Sequence, residues 1–467
     1  MLSAVALGAT AATFKELTTI DLLNEHGGTS TVSVSRNGRF VFGATYADAT
    51  RYVYDTETDE MILFDGTFRA SGILGSAAVY PSVVTSSGKC PGYSTRGSVI
   101  IDILNKTYTL LDNSAAATMR SVSPVAASDD ASVIGGVASA NITNSVPVVW
   151  INGKLSYLPY PTLSSNLGFK VNGCRVVDVS ADGSVIVGQF EAYPNTYPMI
   201  IWERGEDGFF EFVDVWTDFY EPKHRLEYDY DKGEYELVKG PNPWCIFMPA
   251  YISSDGSIIS MYVADNYSDR TVPYNQLAYF HVKERTLEVV PWNPNNLFGQ
   301  AGGTFEILGM ADDGTVVGYT GDLYTTVPFI KDPDKDPQFI NDMFPNMARL
   351  QEYQADHEEY DTPYFCRGIS ADGRIIGGYC MSIYDYYWED IGTTAPEFCY
   401  YSFFIDRYAE DPNAPDVPDD PSDAVEAITT DEDANPADLE YFDLQGRRVH
   451  NPGPGIYIQG GKKVVLQ

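Results

Sequence analysis

Several kinds of chemistry have no footing in this 467-residue chain. It holds only five histidines, His26, His224, His281, His357 and His450, scattered so that none falls in a zinc or nucleophile signature. There is no Gly-x-Ser-x-Gly elbow and no phosphate loop. Lysine and arginine number 30 against 65 aspartates and glutamates, a formal net charge of −35. Nucleic acid and anionic membrane surfaces are therefore excluded as partners by repulsion. Beyond the N-terminus no stretch approaches the ~18 apolar residues that a membrane helix needs, so no transmembrane segment is expected. The six cysteines, at 90, 174, 245, 366, 380 and 399, lack metal-ligand spacing, and no cofactor or metal is called for. A Cys380–Cys399 bridge, a Cys366–Cys380 bridge and free buried thiols all remain open. Asp229–Gly233 with Glu236 lacks the regular ligand positions of a calcium loop and reads as a hairpin turn, as does Asp332–Asp336.

What the chain has instead is a repeat. Val176–Phe190 alternates apolar residues up to Ser180, turns at Asp182-Gly183 and resumes with the β-branched run from Val185, the pattern of a tight hairpin. Relatives occur at Val34–Gly43, Ile252–Ile259, Met310–Gly318 and Ile369–Gly378, with degenerate copies at Val84–Gly92 and Ala127–Gly136, where Ala131 stands for the turn glycine. The turn positions 38, 88, 131, 183, 256, 314 and 373 recur about every 56 residues, a repeat architecture. A second hairpin lies between successive copies, for example Tyr52-Val-Tyr with Met61-Ile-Leu-Phe and Ile200-Ile-Trp with Phe209-Phe-Glu-Phe. Four short antiparallel strands per unit make one propeller blade. After the seventh copy a single strand, Ser402–Tyr408, has no hairpin partner, whereas Thr13–Leu23 precedes the first copy without a blade of its own. The expected fold is all-β: a seven-bladed β-propeller over 12–408, closed by the N-terminal strand as the outer strand of the last blade.

The flanking segments differ in composition. Residues 1–11 have the apolar core and Ala-x-Ala end of a signal peptide with cleavage after Ala11, the alternative being a disordered apolar terminus. Residues 409–434 form an acidic, proline-rich linker, and 435–467 a small β unit in which Leu439–Val449 and Gly455–Gln467 read as two strand-like runs. Through Tyr441-Phe-Asp-Leu-Gln-Gly-Arg-Arg-Val449, Gly455-Ile-Tyr-Ile and the closing Lys-Lys-Val-Val-Leu, this tail resembles the C-terminal sorting domain of Bacteroidota proteins that use type IX secretion. The blades, in Val148-Val-Trp-Ile-Asn-Gly and Val179–Gly188, are similar to HAF-type extracellular repeats. The two resemblances imply export, an extracellular or outer-membrane surface location and possible attachment through the tail.

Loop lengths indicate the working surface. The turns inside each hairpin are short, whereas Trp216–Trp244, Pro291–Phe305, Asn341–Tyr364 and Met381–Pro396 are long and belong to connections that open on one face. They carry aromatic residues with polar edges, among which Tyr384, Tyr386, Tyr387, Trp388, Trp244 and Trp216 are the candidate binding residues. The competing expectation is that such rings pack the loops against each other. No catalytic residue is identified, and no spacing marks out a carboxylate pair. The functional expectation is a non-enzymatic binder of a glycan or protein ligand on this face, the alternative being a glycan-active hydrolase or lyase there.

Overall fold

The computed structural model describes residues 13–18, 28–45, 49–64, 69–70, 79–140, 145–160, 170–193, 199–213, 224–229, 234–239, 247–263, 276–290, 304–321, 327–343, 364–388, 393–408, 441–442, 448–449, 455–459 and 462–466. The chain divides into two compact units, Ala12–Tyr408 and the terminal segments Met1–Ala11 with Ala409–Gln467. In the larger unit seven antiparallel sheets follow one another in chain order, each with its innermost strand first. It is a seven-bladed β-propeller.

The hairpin signature forms because its side chains satisfy the backbone groups of the turn. In blade four the Ser180 hydroxyl donates to Asp182 Oδ1 (2.7 Å) and accepts from Val185 N (3.0 Å), while Asp182 Oδ1 also accepts from Ser184 N (2.9 Å). Burial opposes charge on the Asp182 carboxyl, but these donations hold it below the usual carboxylate range. The same three contacts recur around Ser253 and Asp255 and around Ser370 and Asp372. Glycine is needed at the fourth position for two reasons. Gly183 has φ +68°, and a Cβ there would meet Val133 of the preceding blade at 2.7 Å. Ala131 takes the same conformation, φ 58°, with a side chain in place.

The turns also join blade to blade. Each turn is linked to the next, through residue three in blade two and residue two in the others: Ser87 N to Asp129 O, Asp129 N to Ala181 O, Ala181 N to Ser254 O, Ser254 N to Asp312 Oδ1, Asp312 N to Ala371 O and Ala371 N to Arg36 O. Asn37 N to Ser86 Oγ supplies the remaining link, so the hydrogen bonds run around the whole ring. Within a blade, an aromatic ring on the third strand lies over a glycine on the second. A Cβ at Gly136 or Gly188 would come within 2.6 Å of Trp150 or Trp202, both fully buried.

Closure follows the expected scheme with a shorter strand. Thr13–Glu16 pairs antiparallel with the third strand of blade seven, Thr13 opposite Asp406 and Glu16 opposite Phe403. Phe14 packs on Phe403 with ring centroids 4.9 Å apart, and Ser402 N donates to Thr18 Oγ1 (2.9 Å). Residues 19–23, the rest of the expected strand, lie outside the described residues.

Two expectations need correction, and among the cysteine alternatives the free buried thiols are found. Met381–Pro396 is not a loop: the second and third strands of blade seven run Ile375–Trp388 and Thr393–Asp406, and their pairing continues to Trp388 opposite Thr393. A long β-ribbon satisfies its backbone hydrogen bonds within itself, which an irregular loop of that length could not. Neither cysteine bridge involving Cys380 forms, because Cys366 and Cys380 are free and buried. The C-terminal unit contains four strands rather than two, Tyr441–Phe442, Arg448–Val449, Gly455–Gln459 and Lys462–Leu466, in one sheet. Blade two carries an additional strand, Arg69–Ala70, parallel to Thr107–Tyr108.

Candidate functional site

Chain direction places the signature turns and the short outer turns at one end of the ring, and every long connection at the other. The blade-seven ribbon, the hairpin His224–Asp229 with Glu234–Lys239, and the long inner hairpin of blade four, Lys170–Val179 with Val185–Tyr193, all extend from this second end. Of the sequence-derived candidates, Tyr384, Tyr386, Tyr387 and Trp388 occupy the ribbon, where strand alternation sets 384, 386 and 388 on one face and 387 on the other. Trp216 and Trp244 lie outside the described residues.

The channel enclosed by the ring is more informative than the loops, and its key feature emerges from comparing blades. In six blades the innermost strand has a bulge three residues before the turn, so that one residue is skipped in the pairing. The skipped residues are Val32, Val125, Val177, Ala250, Leu308 and Arg367. Five are aliphatic and one is an arginine. Val32 and Val125 are 41% and 36% exposed although they sit on the innermost strands, as expected of side chains facing a channel.

Arg367 is held by aromatic groups. Its Nη2 donates to Tyr379 Oη (3.1 Å), and its guanidinium carbon lies 5.5 Å from the Tyr379 ring centre and 5.8 Å from that of Phe365. Phe365 and Tyr379 stack with centroids 4.9 Å apart, and Tyr319 meets Phe365 edge-on at 5.2 Å. Enclosure works against the guanidinium charge, but the phenols of Tyr379 and Tyr319 and the Glu306 carboxylate more than offset it, so the group is held charged. Burial, with the Glu306 carboxylate, pushes the Tyr319 phenol up, and burial with Asp178 does the same for Tyr251. Both phenols are therefore protonated at neutral pH and act as hydrogen-bond donors rather than bases.

The turn end of the channel is built differently. Arg36, from the first turn, reaches across to blades three and four: Nη1 donates to Ala127 O (3.1 Å) and Asp129 Oδ1 (3.2 Å), Nη2 donates to Val179 O, and Asp178 Oδ1 lies 3.6 Å away. Asp178 also accepts from Ile252 N (3.1 Å). Burial raises its carboxyl above the usual range against the pull of Arg36.

A concavity of about 600 Å³ lies between blades five and six, lined in part by Tyr279, His281, Lys331 and the Asp332–Asp336 turn. Several of the polar groups at this turn are already paired. Lys331 Nζ donates to Asp332 O and Pro333 O, while the Asp332 carboxylate takes Arg407, Lys335 and the Thr315 hydroxyl. That turn is structural. Among the described residues no group of three histidine, cysteine, aspartate or glutamate side chains could hold a metal, and no helix is long and apolar enough to cross a membrane.

Loop length and aromatic content drew attention to the ribbon and passed over Arg367, Tyr379, Phe365, Tyr319, Glu306 and Tyr251. Aligning the repeats on their turns would have exposed the arginine, since it stands three residues before Ser370 where Val177 stands before Ser180.

No protein-family model matches the chain, and no curated protein sequence matches it. Among solved structures it is similar to TolB from Acinetobacter baumannii, at 12% identity and TM-score 0.32 over 66% of this chain and 61% of that one. It is similar too to prolyl oligopeptidase B from Galerina marginata, at 10% identity and TM-score 0.39 over 84% of this chain and 55% of that one. The Swd1 β-propeller domain from Myceliophteria thermophila matches at 9% identity and TM-score 0.32 over 80% and 95%. The chain thus spans less than two thirds of the TolB and oligopeptidase chains that it matches.

Proposed function

We propose that the protein is an exported, surface-held binding protein that engages a glycan or protein at the long-connection end of its ring without transforming it. The observation that carries this reading is the asymmetry of the two ends. The turn end is tied blade to blade and crossed by a neutralised arginine, whereas the other end carries the extended hairpins. A rigid ring that presents its variable elements on one side suits recognition. Export and attachment through the 435–467 tail rest on the sorting-domain resemblance.

The test is a glycan and peptide array probed with the intact protein and with a variant in which residues 383–396 are replaced by a two-residue turn. Ligands captured by the first and lost by the second, with an unchanged melting temperature, support the reading. Equal capture by both places recognition elsewhere, and product formation from a captured polysaccharide turns the assignment to a hydrolase or lyase.

A further inference from the structure

The position of Arg367 is unusual for its repeat. Acidic residues outnumber basic ones by more than two to one, and Arg36, Arg39, Arg285, Arg374 and Arg407 each pair with a carboxylate at 2.8–3.6 Å. Arg367 has no such partner among the described residues. One of its donors goes to a phenol, and the ring faces that support it accept none of the rest. A guanidinium presents five N–H donors in a planar fork, and a carboxylate is the group that accepts two of them in parallel. The bulge that carries Arg367 turns the residue out of the strand pairing, at the position where blades one, three, four, five and six place valine, alanine or leucine. The fold does not require an arginine there, because five blades form the same bulge without one.

We propose that Arg367 is the anchor for the carboxylate of an acidic sugar within a polysaccharide. This rests on the reading that the long-connection end binds ligand, and it adds the ligand's charge. A sugar fits better than a peptide terminus because the groups beside the charge are side-chain hydroxyls and a carboxylate suited to ring hydroxyls. The Tyr379 and Tyr319 hydroxyls and the exposed Glu306 carboxylate supply donors and an acceptor for ring hydroxyls. Glu306 and the net charge of −35 also disfavour a run of anionic groups, so the sugar is one acidic residue among neutral ones.

The experiment titrates the intact protein with a xylo-oligosaccharide bearing one glucuronate, with its carboxyl-reduced counterpart, and with short peptides whose C-termini are free or amidated. Arg367→Val installs the residue found in other blades and so preserves folding, to be checked by melting temperature. Arg367→Lys keeps the charge and removes the fork. The expected result is at least about tenfold tighter binding of the acidic oligosaccharide than of the reduced one, a preference abolished in R367V and weakened in R367K, as for the loss of a charge-assisted pair. Acid-selective binding that persists in R367V overturns the anchor. Array ligands that need the ribbon but show no carboxylate preference overturn the anchor while leaving the proposed function standing. Preference for the free over the amidated peptide, with no binding of either oligosaccharide, overturns the sugar assignment in favour of a protein terminus. Arg367-dependent binding followed by chain shortening upholds the anchor and overturns the non-enzymatic reading.

Discussion

Arg36, in the first turn, and Arg367, on the bulge three residues before the seventh, have surroundings that differ in every respect that matters. Arg36 spans the ring to Asp129, Asp178 and two carbonyls, so its charge is consumed in holding blades one, three and four together. Arg367 sits on a bulge, stacked on rings, with a phenol as its polar partner. The lesson is that a cation's role is read from its partners rather than from its burial or position in the fold. A guanidinium already matched to carboxylates stabilises structure, whereas one left with free donors in an enclosed site has binding energy still to give.

If that contrast is sound, stability and binding should separate cleanly, and variants rank by effect. The largest loss should come from deleting residues 1–18, which strips the outer strand from blade seven and exposes Phe403 and the buried Ser402. Loss of that burial should cost about 3–5 kcal/mol, read from the urea midpoint, and an unchanged midpoint would show that the ring does not depend on its seam. Arg36→Ala should cost nearly as much, about 3 kcal/mol, by leaving buried Asp178 without its countercharge.

That second deficit should depend on pH. The Asp178 carboxyl has a folded-state pKa above its unfolded value, so its contribution to stability is fully present below the unfolded pKa and is lost as pH rises through the folded one. At neutral pH the ionised group is a cost that Arg36 offsets. The gap between R36A and the parent should thus be widest near neutrality and shrink below about pH 4, where Asp178 is neutral in both states. A gap that grows on acidification would contradict the assignment. Ser180→Ala, which removes an acceptor for Val185 N and a donor to Asp182, should cost about 1–3 kcal/mol at a single turn. The smallest change should be a gain: Ala131→Gly relieves a left-handed alanine and should stabilise by about 1 kcal/mol, measured by thermal melting.

The architecture was legible because the signature states its own physics. Asp182-Gly183 specifies a turn, Ser180 ties it to the following strand, and the spacing of such turns counts the blades. Closure was legible from an unpaired strand at each end, although the N-terminal strand is described only to Glu16 and its flanking pairing to Thr18. The ribbon was misread because Tyr384–Trp388 carries no strict apolar alternation, and its long pairing depends on two segments finding each other across a turn rather than on either alone. The site was least legible. Arg367 shares no local motif with Tyr319, Glu306 or Tyr251, which come from other blades and meet only when the ring is formed.

The N-terminal strand has a mechanical consequence. Thr393–Asp406, the strand from which the chain departs toward the 435–467 unit, is flanked by Ile375–Trp388 on one side and Thr13–Glu16 on the other. Any tension drawn through the tail therefore loads a strand whose last residues, Phe403–Asp406, are paired on both edges. Near its exit, Arg374 clasps Asp406 with two hydrogen bonds of 2.8 and 2.9 Å, and Arg407 holds the blade-six carboxylate of Asp332. The pull is spread over two rows of hydrogen bonds and two ion pairs, so the ring resists unravelling from the end at which a tether would act.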